Sequence, residues 1–249
     1  MRQLPFAVGV AVAVCAVGAC SRSSGGAHEA QLAALQQHVA ALEQRKTRVE
    51  DARAIERLQS AYGYYVDKAL WDEVANLFAD GGTIEIGLDG VYVGKARVRE
   101  YLYALGNGRA GFAEGELNEH LQVMPVITLG DDGKTAKARW RAIILEGEFG
   151  ADAHWGEGPY ENEYVKENGV WKIKSLHWYD ALFVPYVGGW QNPDPTGGKY
   201  VSAKLPPDRP PTVEYKTWPD TYVPPFSFPN PVAKYVPATA PAGGADGRE

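Results

Sequence analysis

The chain has 249 residues, a formal net charge of −6, 45% hydrophobic residues and 22% charged ones. That balance fits a globular core, and with no basic cluster it excludes a nucleic-acid-binding surface. It does not choose between an enzyme and a binding protein.

The first twenty residues read as an export signal. Arg2 precedes an apolar run over residues 4–17, too short for a comfortable membrane span, and small residues follow it. The ending Val17-Gly18-Ala19-Cys20 resembles a bacterial lipobox. That resemblance implies a lipidated Cys20, a membrane partner through the anchor, and, with Ser21 next, the periplasmic face of the outer membrane. An ordinary signal cut after Ala19 is the alternative. With Cys15 removed and Cys20 acylated, cysteine catalysis and zinc–thiolate sites are excluded.

Residues 21–47 form a tether (21–27) and a helical stalk. Leu32, Leu35, Val39, Leu42 and Val49 fall on a and d positions, and Lys46 breaks the series. Three heptads suit a dimeric or trimeric stalk, so a homo-oligomer, or else a single solvated helix.

Residues 48–180 form the compact domain. A helix runs to about residue 68, and its Leu58, Tyr62, Tyr65 and Ala69 make one core-facing stripe. A second helix covers residues 71–79, and a strand covers 83–86. A third helix spans 95–105, with Val98, Tyr101, Leu102 and Leu105 at helical spacing. After a glycine-rich loop come strands at about 120–129, 135–149, 160–167 and 170–179. The last two are joined by an Asn168-Gly169 turn. Helices first and a meander afterwards give an α+β domain with a mostly antiparallel sheet. Residues 181–249 carry 14 of the 17 prolines, those beyond Trp178, yet are rich in aromatics. They read as an extended arm over the domain or a neighbouring subunit, disordered from Thr239.

The order Ile55-Glu56-Arg57-Leu58, Tyr62, Asp67, Trp71-Asp72, Leu77-Phe78-Ala79-Asp80, Gly94-Lys95, Gly158-Pro159-Tyr160 and Gly169-Val170-Trp171-Lys172-Ile173 resembles the SnoaL-like families of the nuclear-transport-factor-2-like superfamily. The resemblance covers about residues 48–180. It implies a cone: a curved sheet wrapped around helices, with a deep apolar pocket. It implies no single chemistry, since relatives include scytalone dehydratase, ketosteroid isomerases, polyketide cyclases, formaldehyde-expelling lyases of lignin-type dimers and inactive binding proteins. Carried over residue by residue, the isomerases' oxyanion tyrosine falls on Tyr62, but their base falls on Ile86, so that mechanism lacks its base. The dehydratase's helix aspartate falls on Asp67 and its first pocket histidine on His120. Its second histidine falls near Glu146, and one of its tyrosines on Ile86.

His120 is the candidate proton carrier, with Asp67 or Glu146 assisting and Tyr62 stabilising developing charge. The bland alternatives are a strand-end histidine bonded to backbone, solvated acids and core tyrosines. Asp67 lies across the helical wheel from the Tyr62 stripe, so a frayed last turn is needed to aim it inward. Tyr65, Tyr160, Asn162, Trp155 and His177 are candidate substrate contacts. His177 is in phase with Ile173 and so expected to point inward, with Trp178 on the opposite face. No metal, phosphate or nucleotide motif occurs, and no cofactor is expected. The expected chemistry is acid–base elimination of water or formaldehyde from a small hydroxylated aromatic compound. The alternatives are a ligand-binding envelope lipoprotein or a SnoaL-like cyclase or isomerase.

Overall fold

The computed structural model describes residues 17–231. The signal segment through residue 16 and the tail from residue 232 lie outside the described residues. Among the described residues, no helix is long and apolar enough to cross a membrane. The chain divides into a unit ending at Val49 and a second beginning at Glu50.

Helix α1 runs without a break over Val17–Val66, so residues 21–27, expected as a tether, are helical. In the first unit the heptad side chains Leu32, Leu35, Val39 and Leu42 are all exposed.

In the second unit α1 ends in the turn Asp67–Leu70, where Ala69 takes a positive φ of 50°. Helix α2 covers Trp71–Asn76, with Asp72 and Glu73 in its first turn, where carboxylates complement the helix dipole. It stops three residues before the expected end because Phe78 pairs with Ile173 and opens strand β1, Phe78–Ile86. Strand β2, Val91–Val93, hairpins back onto β1. Helix α3, Lys95–Leu105, lies where the periodicity placed it and buries Val98, Tyr101 and Leu102.

The strands β3 (Glu116–Leu129), β4 (Thr135–Glu148), β5 (Asp152–Glu167) and β6 (Val170–Trp178) form an antiparallel meander. The β5–β6 turn has Asn168 and Gly169 both at positive φ, as a two-residue hairpin requires. The full order is β2-β1-β6-β5-β4-β3, with β1 parallel to β6. Strand β7, Leu182–Pro185, pairs with the first half of β5. Register shifts in β1, β3 and between β5 and β6 bend the sheet, because a bulge inserts an unpaired residue and raises the local twist. The result is the expected α+β cone: a curved, unclosed, mostly antiparallel sheet around the helices.

Beneath the sheet the core is aromatic, with Trp71, Tyr92, Tyr101, Tyr160 and Tyr164 fully buried. It also holds a polar chain. Tyr164 donates to Gln59 Oε1 (2.7 Å), Trp140 donates to the Tyr164 hydroxyl (3.0 Å), and Gln59 donates to Gln122 (2.8 Å). Buried polar groups need such partners. Gly63 lets α1 approach β3, since a Cβ there would lie 2.9 Å from the His120 carbonyl and from Gln122 Cγ.

The arm packs on its own domain. Val91 bridges to Arg209, Tyr92 donates to the Leu205 carbonyl, and Arg97 pairs with Asp208. Arg139 stacks over Phe226 at 4.1 Å and pairs with Glu161. Tyr215 and Tyr222 stack beside Tyr179.

Candidate functional site

A cavity of about 310 Å³ opens between α3, the loop after it and the concave face of β3, β4 and β5. Side-chain alternation on these strands decides what enters it. On β3, Asn118 and His120 face inward. On β4, Ile144 and Glu146 do, and on β5, His154 does. The cross-strand register sets Asn118, Glu146 and His154 in one row, and His120, Ile144, Gly156 and Phe183 in the next. Gly156 leaves room in its row, since a Cβ would lie 2.8 Å from that of Ile144. Trp71, Trp178, Phe183 and Tyr200 supply aromatic walls, and His154 stacks on Phe183 at 5.2 Å.

Burial holds the His120 imidazole down at a pKa of about 4, so it is neutral at physiological pH. Its Nδ1 has no hydrogen-bond partner. The Glu146 carboxyl is raised above its usual range, first by desolvation, with nearby Asp152 adding and His154 opposing. Glu146 and His154 thus lie side by side, one rung from His120.

The structure brings His120 and Glu146 together and sends the other candidates elsewhere. Asp67 does not orient the imidazole. Its Oδ1 accepts from the backbone N–H of His120 at 2.5 Å, on the groove side between α1 and β3. The objection from the helical wheel therefore stands in three dimensions. Tyr62 and Tyr160 are buried in the core and do not line the cavity; they face each other hydroxyl to hydroxyl at 3.4 Å, with Tyr62 raised to about 12 by burial. Tyr65 is half-buried against the core. Asn162 spends its side chain internally: Nδ2 donates to Gln59 and Tyr164, and Oδ1 accepts from the His177 N–H. Trp155 follows His154 and so points to the other face, where it stacks on Tyr186.

His177 corrects the inward expectation. Opposite Glu163 and Tyr164, β6 carries one extra residue, which reverses its alternation. Ile173 and Trp178, five apart, therefore both join the core, and Trp178 lines the cavity. His177 faces the arm, 3.5 Å from Glu85 and from the Thr212 hydroxyl, and stacked on Tyr179 at 3.8 Å. Asn118, Glu148 and Asp152 were missed, although alternation from His120 and Glu146 points to the first two.

Tyr200, with Phe183, is the arm's contribution to the cavity. The Tyr200 hydroxyl donates to Asp180 Oδ2 at 2.5 Å. Asp180 is 1% exposed, and burial, with Asp194 beside it, pushes its carboxyl up to about 8. The folded state therefore holds a proton that the unfolded chain releases near pH 4. Stability from this group is complete below pH 4 and lost as pH rises to about 8. Asp180→Asn mimics the protonated group. We expect its melting temperature, relative to the parent, to rise steadily from pH 5 to pH 8.5 in thermal scans. A difference that stays flat with pH would remove Asp180 as the cause.

Curved sheet, enclosed helices and a lined cavity define a pocket protein of the cone-fold class. A family model for the SnoaL-like domain matches residues 47–177, a little over half of the chain, and the chain belongs to that family. Three solved structures are similar to this chain. A scytalone dehydratase candidate from Novosphingobium aromaticivorans is 21% identical, with a TM-score of 0.50 over 57% of this chain and 91% of that one. A hexachlorocyclohexane dehydrochlorinase is 21% identical over 57% and 93%, with a TM-score of 0.49. The β subunit of a candidate aromatic-ring-hydroxylating dioxygenase from N. aromaticivorans is 19% identical over 51% and 87%, with a TM-score of 0.44. Among the described residues no three His, Cys, Asp or Glu side chains converge to hold a metal ion.

Proposed function

We propose that the chain is a cofactor-independent acid–base lyase or dehydratase acting on a small hydroxylated aromatic compound. The observation that carries this is the pairing, on one concave face, of a neutral buried imidazole with a carboxyl raised by desolvation. Burial favours the uncharged form of each group, the unprotonated imidazole as base and the protonated carboxyl as acid. His120 takes a proton from the substrate. Glu146 returns one to the departing hydroxyl, and water leaves as the carbon–carbon double bond forms. In the formaldehyde variant His120 takes the alcohol proton, the carbon–carbon bond breaks, and Glu146 protonates the ring-stabilised carbanion. Trp71, Trp178 and Phe183 offer surfaces for the ring. The fold shared with the scytalone dehydratase candidate is compatible with elimination.

One observation favours a second reading, a ligand carrier without turnover: Asp67 binds backbone, leaving His120 Nδ1 without an orienting partner. The test is a panel of hydroxylated aromatic monomers and lignin-type dimers, read by mass. His120→Ala is expected to lower turnover by about 10²–10⁴-fold, the usual share of a general base. The acid limb of the rate is expected near pH 4, where His120 protonates, rather than near pH 6.5. Ligand binding without mass change, equal in both proteins, would leave the carrier.

A further inference from the structure

Two carboxyls at the junction of the arm and the end of β6 each leave one oxygen without a donor. Asp180 follows β6 and is 1% exposed. Its Oδ2 accepts from the Tyr200 hydroxyl at 2.5 Å, and its Oδ1 finds no donor. Asp194 belongs to the arm. Its Oδ1 accepts from the Thr196 N–H at 2.7 Å and from the Thr196 hydroxyl at 2.8 Å, and its buried Oδ2 finds no donor. The backbone brings the two together. The Asp194 N–H donates to the Trp218 carbonyl, and the Trp218 N–H donates to the carbonyl of Ala181, the neighbour of Asp180. The two carboxyls lie within hydrogen-bonding reach of each other. As two anions they would repel, and each would hold a bare acceptor away from water. One proton between them removes both faults.

The next charge acting on Asp180 is also negative: Glu157 on β5, itself paired with Arg141. Tyr215 of the arm accepts from the Asp180 N–H at 2.9 Å. Lys216 and Asp220, of opposite sign, line the adjoining cleft with Asp180. Burial first, then Asp194, pushes the Asp180 carboxyl up to about 8. Tyr200 carries the consequence to the cavity, because its side chain lines the wall. The backbone of Tyr200 is held separately, by Asp89, which accepts its N–H at 2.9 Å. The carboxyl pair therefore acts on the ring and on residues 194–199 rather than on the whole arm.

We propose that Asp180 Oδ1 and Asp194 Oδ2 share one proton, and that this proton latches residues 194–199 of the arm to the domain and holds the Tyr200 ring as a cavity wall. With the proton in place, one carboxyl donates to the other. When it leaves, two anions face each other in a buried place, the arm stretch moves off, and the Tyr200 hydroxyl loses its fixed acceptor. The wall is firm in acid and loosens as pH rises to about 8. His120 and Glu146 are untouched. The latch acts alike whether the cavity turns over a substrate or carries a ligand.

The experiment titrates the full chain, carbon-13-labelled at its aspartate carboxyls, by NMR from about pH 5 to pH 9, beside Asp194→Asn and Asp194→Ala. Amide hydrogen exchange of residues 194–200 is read at each pH and corrected for intrinsic rates. In the parent, Asp180 is expected to titrate near pH 8, and the Tyr200 ring resonances to follow the same midpoint. Arm protection is expected to fall by up to about tenfold per pH unit below that midpoint, the slope of one proton, and then to level off. In Asp194→Asn the amide donates to the Asp180 carboxylate without a proton. The Asp180 midpoint then falls by at least about one unit, and the slope flattens with protection kept. Asp194→Ala offers neither charge nor donor and loses protection at every pH. An Asp180 midpoint unmoved in Asp194→Asn, or a parental slope that persists there, overturns the proposal. Tyr200 resonances that ignore the titration overturn the link to the cavity. Should neither variant fold, the parent decides: no aspartate titrating above about pH 6.5, or arm protection flat with pH, overturns it. No turnover is read here, so the outcome stands apart from the His120 test.

Discussion

Asp89→Ala is expected to cost about 3–5 kcal/mol and to release the arm from the cavity, the scale of leaving buried partners of a carboxylate unpaired. Asp89 is 1% exposed, in the turn between β1 and β2. Its two oxygens accept from the backbone N–H groups of Tyr200, Val201 and Ser202 and from the Tyr101 hydroxyl, all at 2.9–3.0 Å. Val201 is 1% exposed and plugs the core, while Tyr200 next to it walls the cavity. Truncation strands three amides and a phenol at once. Urea unfolding should show the lowered midpoint, and limited proteolysis should cut within residues 186–231 while the sheet survives. An unchanged midpoint with an unchanged digest would mean that the arm is held by its other contacts, such as Thr212 on Glu85 and Arg97 on Asp208.

Gly158→Ala should destabilise by about 3 kcal/mol or more, as overpacking against backbone does. A Cβ at Gly158 would press on the Tyr179 carbonyl oxygen and lie 2.9 Å from Trp178 Nε1. Neither neighbour can swing aside: Tyr179 is tied to β5 through the Pro159 carbonyl, and Trp178 is 2% exposed. The glycine therefore sets how closely the end of β6 approaches β5, and with it the position of a cavity wall. Gly81→Ala is the control, since its Cβ would meet nothing within 4 Å. Circular-dichroism melting of both variants checks the claim, and similar melting temperatures would defeat it.

The elements with strong local signals were legible in the chain. Helix α3 has the predicted bounds because its apolar residues repeat at helical spacing and Gly94 opens it. The β5–β6 hairpin follows from Asn168-Gly169. Local signals failed where partners decide. Gly156 and Gly158 argue against a strand, yet β5 begins at Asp152, because β4 pairs with it along its whole length. Phe78 looks helical in sequence and becomes a strand residue because Ile173 lies alongside.

The site divides in the same way. Alternation alone places Glu146 with Ile144, and the family resemblance singles out His120; both line the cavity. His177 and Trp178 exchanged faces because one extra residue in β6 reverses parity, and only the pairing with β5 reveals that residue. Asp67 took the His120 amide rather than its ring because of where α1 ends against β3.

By itself, then, the sequence determined the fold class, the bounds of α3, the β5–β6 hairpin and two of the cavity's polar residues. These follow from local periodicity and turn chemistry, which act over a few residues. Only the tertiary structure decided that Asn118, Trp178 and Tyr200 share a cavity with His120, and that Tyr62, Asn162 and His177 are spent on internal hydrogen bonds and packing. Those outcomes depend on strand register, one bulge and an arm docked more than a hundred residues away from the turn that holds it.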